Sequence, residues 1–392
     1  MARVVAPDLV SLRKFVAPEF IFGVGAMGLF ERYLVNLDVR RPFLVSDPGV
    51  HAAGWTQVVV EGIERQGLAY TLFEDVTPNP KDYEVAAGVE RFRANRCDGI
   101  VVVGGGSPID CAKGIGILAS NGGEITDYEG VDTISSPIPP LLCIPTTAGS
   151  SADVSQFAII THTVQQRKLA IVSKAVVPDA SLVDPQTTLT MDHDLTAATG
   201  LDALSHALES LASNASSSIT DVHALRAIQL IAATLPQVLE RPDDLELRTR
   251  QMAASLHAGL AFSNASLGIV HAMAHALGGL HGMAHGFCNA LLLNACIRFN
   301  FRAAAEKYRR ALSVLDLPIS GDDAADCATL TERLGRIGPR RWDINPLHGP
   351  VFDEATVKAL AERAAADVCL LTNPRQASVS DIVGLYREVL PR

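Results

Sequence analysis

The segment that most constrains the fold is residues 98–108, where Ile100-Val101-Val102-Val103 runs straight into Gly104-Gly105-Gly106-Ser107-Pro108. Four apolar residues without alternation read as a strand buried on both faces, and such strands belong to parallel sheets covered by helices. Just upstream, Val85, Val89 and Phe92 fall at i, i+4 and i+7, one stripe of a helix. Short strands are also expected at 19–22, 42–46 and 69–74, and this alternation of strand and helix predicts a parallel sheet with helices on its faces. Further strands are expected at 140–145, 156–161, 168–173 and 180–183. After Asp184-Pro185 the texture changes to helical periodicity rich in alanine and leucine, as at 194–213, 217–239 and 245–261. The reading is an α/β half over 1–187 and an all-helical half over 188–392.

At 392 residues the chain is long enough for two cores. A net charge of −10, with no lysine or arginine cluster, lacks the footprint of a nucleic-acid binder. Residues 1–15 hold no sustained apolar stretch to act as a secretion signal, and no uncharged run approaches the roughly 18 apolar residues of a membrane span. A cytoplasmic protein with no nucleic-acid or membrane partner is expected. The cysteines, at 97, 111, 143, 288, 296, 327 and 369, never form Cys-x-x-Cys, so neither a disulfide framework nor a cysteine-zinc site is indicated.

Two glycine motifs compete for a phosphate. Gly23-Val24-Gly25-Ala26-Met27-Gly28 is a formal G-x-G-x-x-G after a short strand, with Asp47 about 20 residues on, as a dinucleotide fold requires. It reads equally as a tight turn, and Asp47-Pro48-Gly49 is a turn sequence too. Gly104 to Ser107 is the better cradle, because it joins a buried strand to a helix expected to open at Pro108. Asp110 and Lys113 lie in the first turns of that helix, and Pro145-Thr146-Thr147-Ala148-Gly149-Ser150-Ser151 brings hydroxyls to another strand end. No G-x-x-x-x-G-K-[ST] is present, which disfavours a nucleoside triphosphatase.

In the helical half, Asp202 and His206 are four apart, as are His271 and His275, and that spacing stacks side chains on one helix face. His285 follows Gly278-Gly279, a break expected to turn the chain back. A carboxylate and several imidazoles converging on one spot describe a divalent metal site. Spacing does not say which imidazoles bind.

GGGSPIDCAK at 104–113, PTTAGSSAD at 145–153 and the D-x3-H, H-x3-H and His285 constellation, in this order, resemble the iron-dependent (group III) alcohol dehydrogenase family, most closely the branch associated with bacterial ethanol oxidation. The likeness runs from about 16 to 300, includes VTPNP at 76–80 and LVDP at 182–185, thins to 350 and resumes at Thr372-Asn373-Pro374-Arg375. It implies an α/β N-terminal dinucleotide-binding domain and an all-α C-terminal metal-binding domain, the dehydroquinate synthase-like fold. It implies that Asp202, His206, His271 and His285 hold Fe²⁺, a donor set that also suits Zn²⁺, while His275 lies beside substrate and nicotinamide. Gly104, Gly105, Gly106, Ser107 and Asp110 would hold the pyrophosphate region, with Thr146, Thr147, Ser150 and Lys168 lining the rest of the cleft. Asp47 and Asn79 would meet the adenosine end, an acid at 47 favouring NAD over NADP. On this reading Gly23 to Gly28 is a structural turn near the cofactor. The implied substrate is a small primary alcohol or its aldehyde, and a homo-oligomer, dimer or larger, is expected.

Three positions depart from the family pattern: Asp153 for glutamate, Ser150 for threonine, and Ala284 for the proline common before the last ligand. The first two conserve the chemistry, whereas the third bears on the loop carrying His285. Three other classes compete, of which a sensor that keeps the fold without catalysis is disfavoured because no signature residue is missing. A metallohydrolase would use the H-x3-H helix, but Ala272 stands where the water-activating glutamate belongs. A dehydroquinate-synthase-like lyase would share fold, NAD and metal, and is disfavoured by the Asp-plus-three-His set.

Overall fold

The computed structural model describes residues 12–339 and 351–391. Strands β1 (Glu19–Phe22), β2 (Pro42–Val45), β3 (Thr71–Phe73), β4 (Gly99–Gly104), β6 (Leu141–Pro145) and β9 (Ala180–Val183) form a parallel sheet in the order β1-β9-β6-β4-β2-β3. Helices α1 (Phe30–Asn36), α2 (Pro48–Ala52), α3 (Trp55–Arg65), α4 (Asp82–Ala94) and α5 (Gly106–Asn121) accompany it. Ile100 and Val102 enter one core with Phe43, Phe73, Val89 and Ile115, whereas Val101 and Val103 enter a second with Phe30, Ile63 and Ile144. The uninterrupted apolar run is therefore the signature of a strand that serves two helical layers at once.

Two of the expected strands form a second sheet. β7 (Phe157–His162) and β8 (Arg167–Val172) form an antiparallel hairpin, and with β5 (Gly130–Val131) they make a separate three-stranded sheet. Only residues 163–166 connect them, too few for the crossover that parallel neighbours need. Gln166, at φ 49°, helps close the turn. The hairpin reaches over the parallel sheet's carboxyl end, where Thr161 donates its N–H to the Pro80 carbonyl at 2.7 Å.

The helical half comprises α6 (His193–Ala212), α7 (Ser218–Glu240), α8 (Leu245–Ala265), α9 (Ile269–His281), α10 (His285–Asn300), α11 (Ala305–Val314), α12 (Asp323–Leu334), α13 (Glu354–Ala365) and α14 (Val379–Val389) around one apolar core. Helix starts are written in acids: Asp192 accepts from Leu195 N at 2.7 Å and Asp244 from Leu247 N at 3.1 Å, caps of about 1 kcal/mol each. α7 is long and apolar enough to cross a membrane, yet Ala227, Ile228, Ile231 and Leu235 are buried in the bundle core. α8 and α9 meet at 100° across Ser266, whose φ is 59°.

The expected break at Gly278-Gly279 does not occur. α9 continues through both and ends at His281, and the left-handed turn falls on Gly282 at φ 67°. Gly279 is small for a different reason: a Cβ there would lie 3.0 Å from Arg167 Cα and 3.1 Å from the Gln166 carbonyl, so it lets α9 close on the β7–β8 turn.

Candidate metal centre and cofactor cleft

α6 projects Asp202 and His206 from one face, α9 supplies His271, and His285 is the first residue of α10. Asp202 Oδ1 lies 3.6 Å from the Nε2 atoms of His206, His271 and His285 alike. That is too long for a hydrogen bond. It is close to the ~3.4 Å that separates neighbouring donors of a tetrahedral ion with bonds of about 2.1 Å. The four groups can each turn one donor atom into a space where all lie within 4.8 Å of one another. The residues thus fit a divalent cation with nitrogen and oxygen ligands.

Electrostatics agree. Burial pushes His206 down to about 4 against the pull of Asp202, and burial likewise takes His285 well below the usual imidazole range. Burial would raise Asp202, but His206, His285 and His271 together hold it below the carboxylate range. An ionised carboxylate beside neutral imidazoles is the state a metal requires. His271 differs: burial would lower it, yet Asp202 and Glu209 raise it to about 9.

Sequence reasoning missed Glu209. Its Oε2 accepts from His271 Nδ1 at 2.6 Å, and its Oε1 accepts the Val270 N–H at 2.7 Å. One buried carboxylate thus caps α9 and fixes the His271 ring, the role of an acid behind a metal-binding histidine. It stands seven residues after Asp202, two turns further along the same helix, and that periodicity is the signal that would have found it. Asn289 was also missed: its Nδ2 donates to Asp202 Oδ1 at 2.7 Å and sits 3.2 Å and 3.1 Å from Nε2 of His271 and His285. It lies one turn after His285 on α10.

His275 is brought to the edge of the cluster rather than into it. Its ring stacks on His285 at 5.4 Å between centroids, and its Nδ1 bonds Asp367 Oδ2 at 2.8 Å. Ala284 keeps φ −59° and ψ 128°, the backbone a proline would impose, so the departure from proline leaves the approach to His285 in place.

The candidate cofactor cleft lies at the carboxyl ends of β4 and β6, which run side by side to Gly104 and Pro145. α5 begins at Gly106, two residues before the expected opening at Pro108, and Gly105 gives its first amides no side-chain cap. These glycines also let two loops meet: a Cβ on Gly105 would lie 2.9 Å from Thr147 Cγ2, and one on Gly106 2.8 Å from Ser150 Cβ. Thr146 bonds back to the Gly104 carbonyl at 3.0 Å. Ser107 Oγ accepts from Asn79 N at 3.2 Å, and Lys168 Nζ donates to Asn79 Oδ1 at 2.8 Å and Thr161 Oγ1 at 3.0 Å. Gly104 to Ser107, Thr146, Thr147, Ser150, Asn79 and Lys168 therefore share one cleft. Burial lifts Asp110 to about 7 and lowers Lys168 to about 7, each pulled back by opposite charge. The Gly149 backbone rests on Thr199, with Cα 2.7 Å from a Gly149 Cβ, which sets the cleft one helical turn from Asp202.

Three residues of the sequence motifs have structural work. Lys113 Nζ donates to the carbonyls of Ala152, Ser155 and Phe157 at 2.6, 2.9 and 2.7 Å, clamping the chain after the hydroxyl loop. Asp153 accepts from Ser181 Oγ at 2.7 Å. Asp47 Oδ1 caps α2 by accepting from Val50 N at 2.9 Å, which fits its Asp-Pro-Gly context. In the first glycine motif, Asp184 Oδ2 accepts the N–H groups of Gly25 and Met27 at 2.9 and 3.2 Å. A protein carboxylate occupies the place a phosphate would take.

The model of the iron-containing alcohol dehydrogenases matches residues 17–185, and that of the same family's C-terminal region matches 196–390. The chain is 38% identical to the 1,3-propanediol dehydrogenase of Citrobacter freundii over 94% of this chain and 96% of that one. It is 33% identical to the NAD-dependent methanol dehydrogenase of Bacillus methanolicus over 96% and 99%. The crystal structure of a 1,3-propanediol oxidoreductase superposes with a TM-score of 0.91 at 35% identity, covering 97% of this chain and all of the other. The chain belongs to the iron-containing alcohol dehydrogenase family, and has its fold of a parallel α/β domain followed by a helical domain.

Proposed function

We propose that this chain transfers hydride between a small primary alcohol, or its aldehyde, and NAD(H), with Fe²⁺, or Zn²⁺ in its place, held by Asp202, His206, His271 and His285. The observation that carries the reading is the approach of three imidazole Nε2 atoms to one Asp202 oxygen at 3.6 Å, beside the glycine cleft. When bound, the metal polarises the alcohol or carbonyl oxygen, and the nicotinamide exchanges the hydride.

The chain's own residues do the rest. Glu209 holds His271 in one orientation, and Asn289 steadies the Asp202 oxygen. Gly104, Gly105, Gly106 and Ser107 offer the pyrophosphate a helix start, with Asp110, Thr146, Thr147, Ser150 and Lys168 around it. Asn79 and Asp47 meet the adenosine end, where the Asp47 oxygen left over from capping accepts ribose hydroxyls and repels a 2′-phosphate, favouring NAD over NADP. His275 accepts the alcohol proton.

The division into a cofactor domain over 1–187 and a metal domain over 188–392 is supported by the last strand among the described residues ending at Val183 and by the run of helices that begins at His193. Seven unpaired cysteines support a cytoplasmic setting. A homo-oligomer is supported by the edge strand β1, which exposes Phe20 and Phe22. The hydrolase alternative is disfavoured because Ala272 packs in an apolar cluster with Phe157 and Phe262.

The test is metal analysis of anaerobically purified protein together with a panel of primary alcohols and aldehydes followed at the NADH absorbance. About one metal ion per subunit and NADH formed with alcohol are expected. Tight-bound NAD that never accumulates as NADH would point to the lyase instead, and undiminished turnover by metal-free protein would refute the reading.

A further inference from the structure

The segment 367–375, Asp-Val-Cys-Leu-Leu-Thr-Asn-Pro-Arg, comes from the far end of the chain, and neither the metal cluster nor the cofactor cleft accounts for it. Its end is tied to the start of α9 at two points. Thr372 Oγ1 donates to the Leu267 carbonyl at 2.7 Å, and Asn373 Oδ1 accepts from Ile269 N at 3.1 Å while Asn300 Nδ2 donates to it at 2.9 Å. Its beginning is the short turn Val368–Thr372, capped by Asp367 Oδ1, which accepts from Cys369 N at 2.8 Å. These ties leave Asp367 Oδ2 at 2.8 Å from His275 Nδ1, two turns into α9.

We propose that Asp367 is the positioning residue of His275, and that segment 367–375 is a part of the active site contributed by the C-terminus. The inference rests on the proposed alcohol–NAD(H) chemistry. A carboxylate only accepts, so the Asp367 contact keeps the His275 proton on Nδ1 and leaves the lone pair on Nε2. With NAD⁺ bound, that Nε2 would accept the alcohol O–H proton while the nicotinamide takes the carbinol hydride and the carbon–oxygen double bond forms. The imidazolium, hydrogen-bonded through Nδ1, faces the Asp367 charge until its new proton passes to solvent. The alternative reading of the same residues, a metal site made by His275, Asp367 and Cys369, is opposed by geometry. Asp367 spends both oxygens, one on the ring N–H and one on the Cys369 amide.

Asp367→Asn separates positioning from capping. Asparagine caps a turn about as well as aspartate, so a merely structural Asp367 predicts unchanged turnover. As a positioning residue its loss offers His275 an amide N–H, moves the ring proton to Nε2, and lowers kcat by about 100-fold with KM, metal content and NADH affinity within about twofold. In a His275→Ala background Asp367→Asn should cost nothing further, whereas an equal cost there would show that it acts elsewhere. A second readout needs no turnover: in ¹⁵N-histidine-labelled metal-free protein, with His275 assigned by its absence in His275→Ala, the wild type should carry its proton on Nδ1 and Asp367→Asn on Nε2. An unchanged tautomer, or wild-type kcat in Asp367→Asn, overturns the proposal. Failure of the parent reading looks different, because wild type itself would then leave every alcohol and aldehyde untouched whatever the tautomer.

Discussion

His271 and His275 lie one turn apart on α9, both buried, and differ in almost everything else. His271 has Glu209 behind it at 2.6 Å and Asp202 in front at 3.6 Å; His275 has Asp367 behind it at 2.8 Å and stands outside the four-donor set. Helical spacing puts both rings on one face. On the proposed reading the ligand is the ring whose Nε2 also faces Asp202, which His271 does at 3.6 Å while His275 belongs to a separate group with Asp367.

The largest effect is expected at Glu209. Glu209→Ala strands the Val270 N–H and the His271 Nδ1–H in a dry site, so unfolding free energy should drop by roughly 3–5 kcal/mol, and metal affinity by about 10–100-fold. Denaturant midpoints and chelator competition measure the two separately. Lost stability with intact affinity would reduce Glu209 to a helix cap and erase the contrast with Asp367.

Metal removal comes next. A metal bound only by the folded state at 100 times its Kd adds about 2.7 kcal/mol, so chelation should lower the melting temperature of wild type and of His275→Ala by the same few degrees. His271→Ala should show almost no shift. Equal shifts in all three would mean that His271 is not a ligand.

The smallest effect belongs to the last turn of α9, where Gly278 lies close to Lys168. Burial lowers Lys168 to about 7, so its ammonium is already formed at pH 6 and NADH affinity should be flat below that value. Above pH 7 the free protein must take up a proton to pair with the pyrophosphate, and Kd should rise by up to tenfold per unit, a dependence that Lys168→Met removes. Fluorescence titration of NADH across pH 6 to 9 checks it, and a pH-independent Kd in wild type would take Lys168 off the phosphate.

Much of this was legible in the chain because it rests on local rules. The run 100–103 specified a strand with two buried faces, and helical spacing put Asp202 and His206 on one face. Features set by distant partners were not legible. The two glycine motifs look alike until Asp184, some 159 residues away, is seen to fill the first. Gly279 reads as a break but serves contact with the β7–β8 turn, and the apolar runs at 156–161 and 168–173 read as strands without saying which sheet they join, because alternation does not encode direction. Asp367 is a single acid without a motif, and its meaning appears only where the C-terminal segment meets α9, whereas Glu209 shares a face of α6 with Asp202 and needs α9 only to name its partner.

The most direct test is metal content per subunit measured beside kcat for His271→Ala and His275→Ala after dialysis. His271→Ala is expected to lose its metal and nearly all turnover, while His275→Ala keeps its metal and binds NADH but turns over slowly. Metal retained in the first and lost from the second would contradict this assignment, and full activity in both would remove the metal centre from the chemistry altogether.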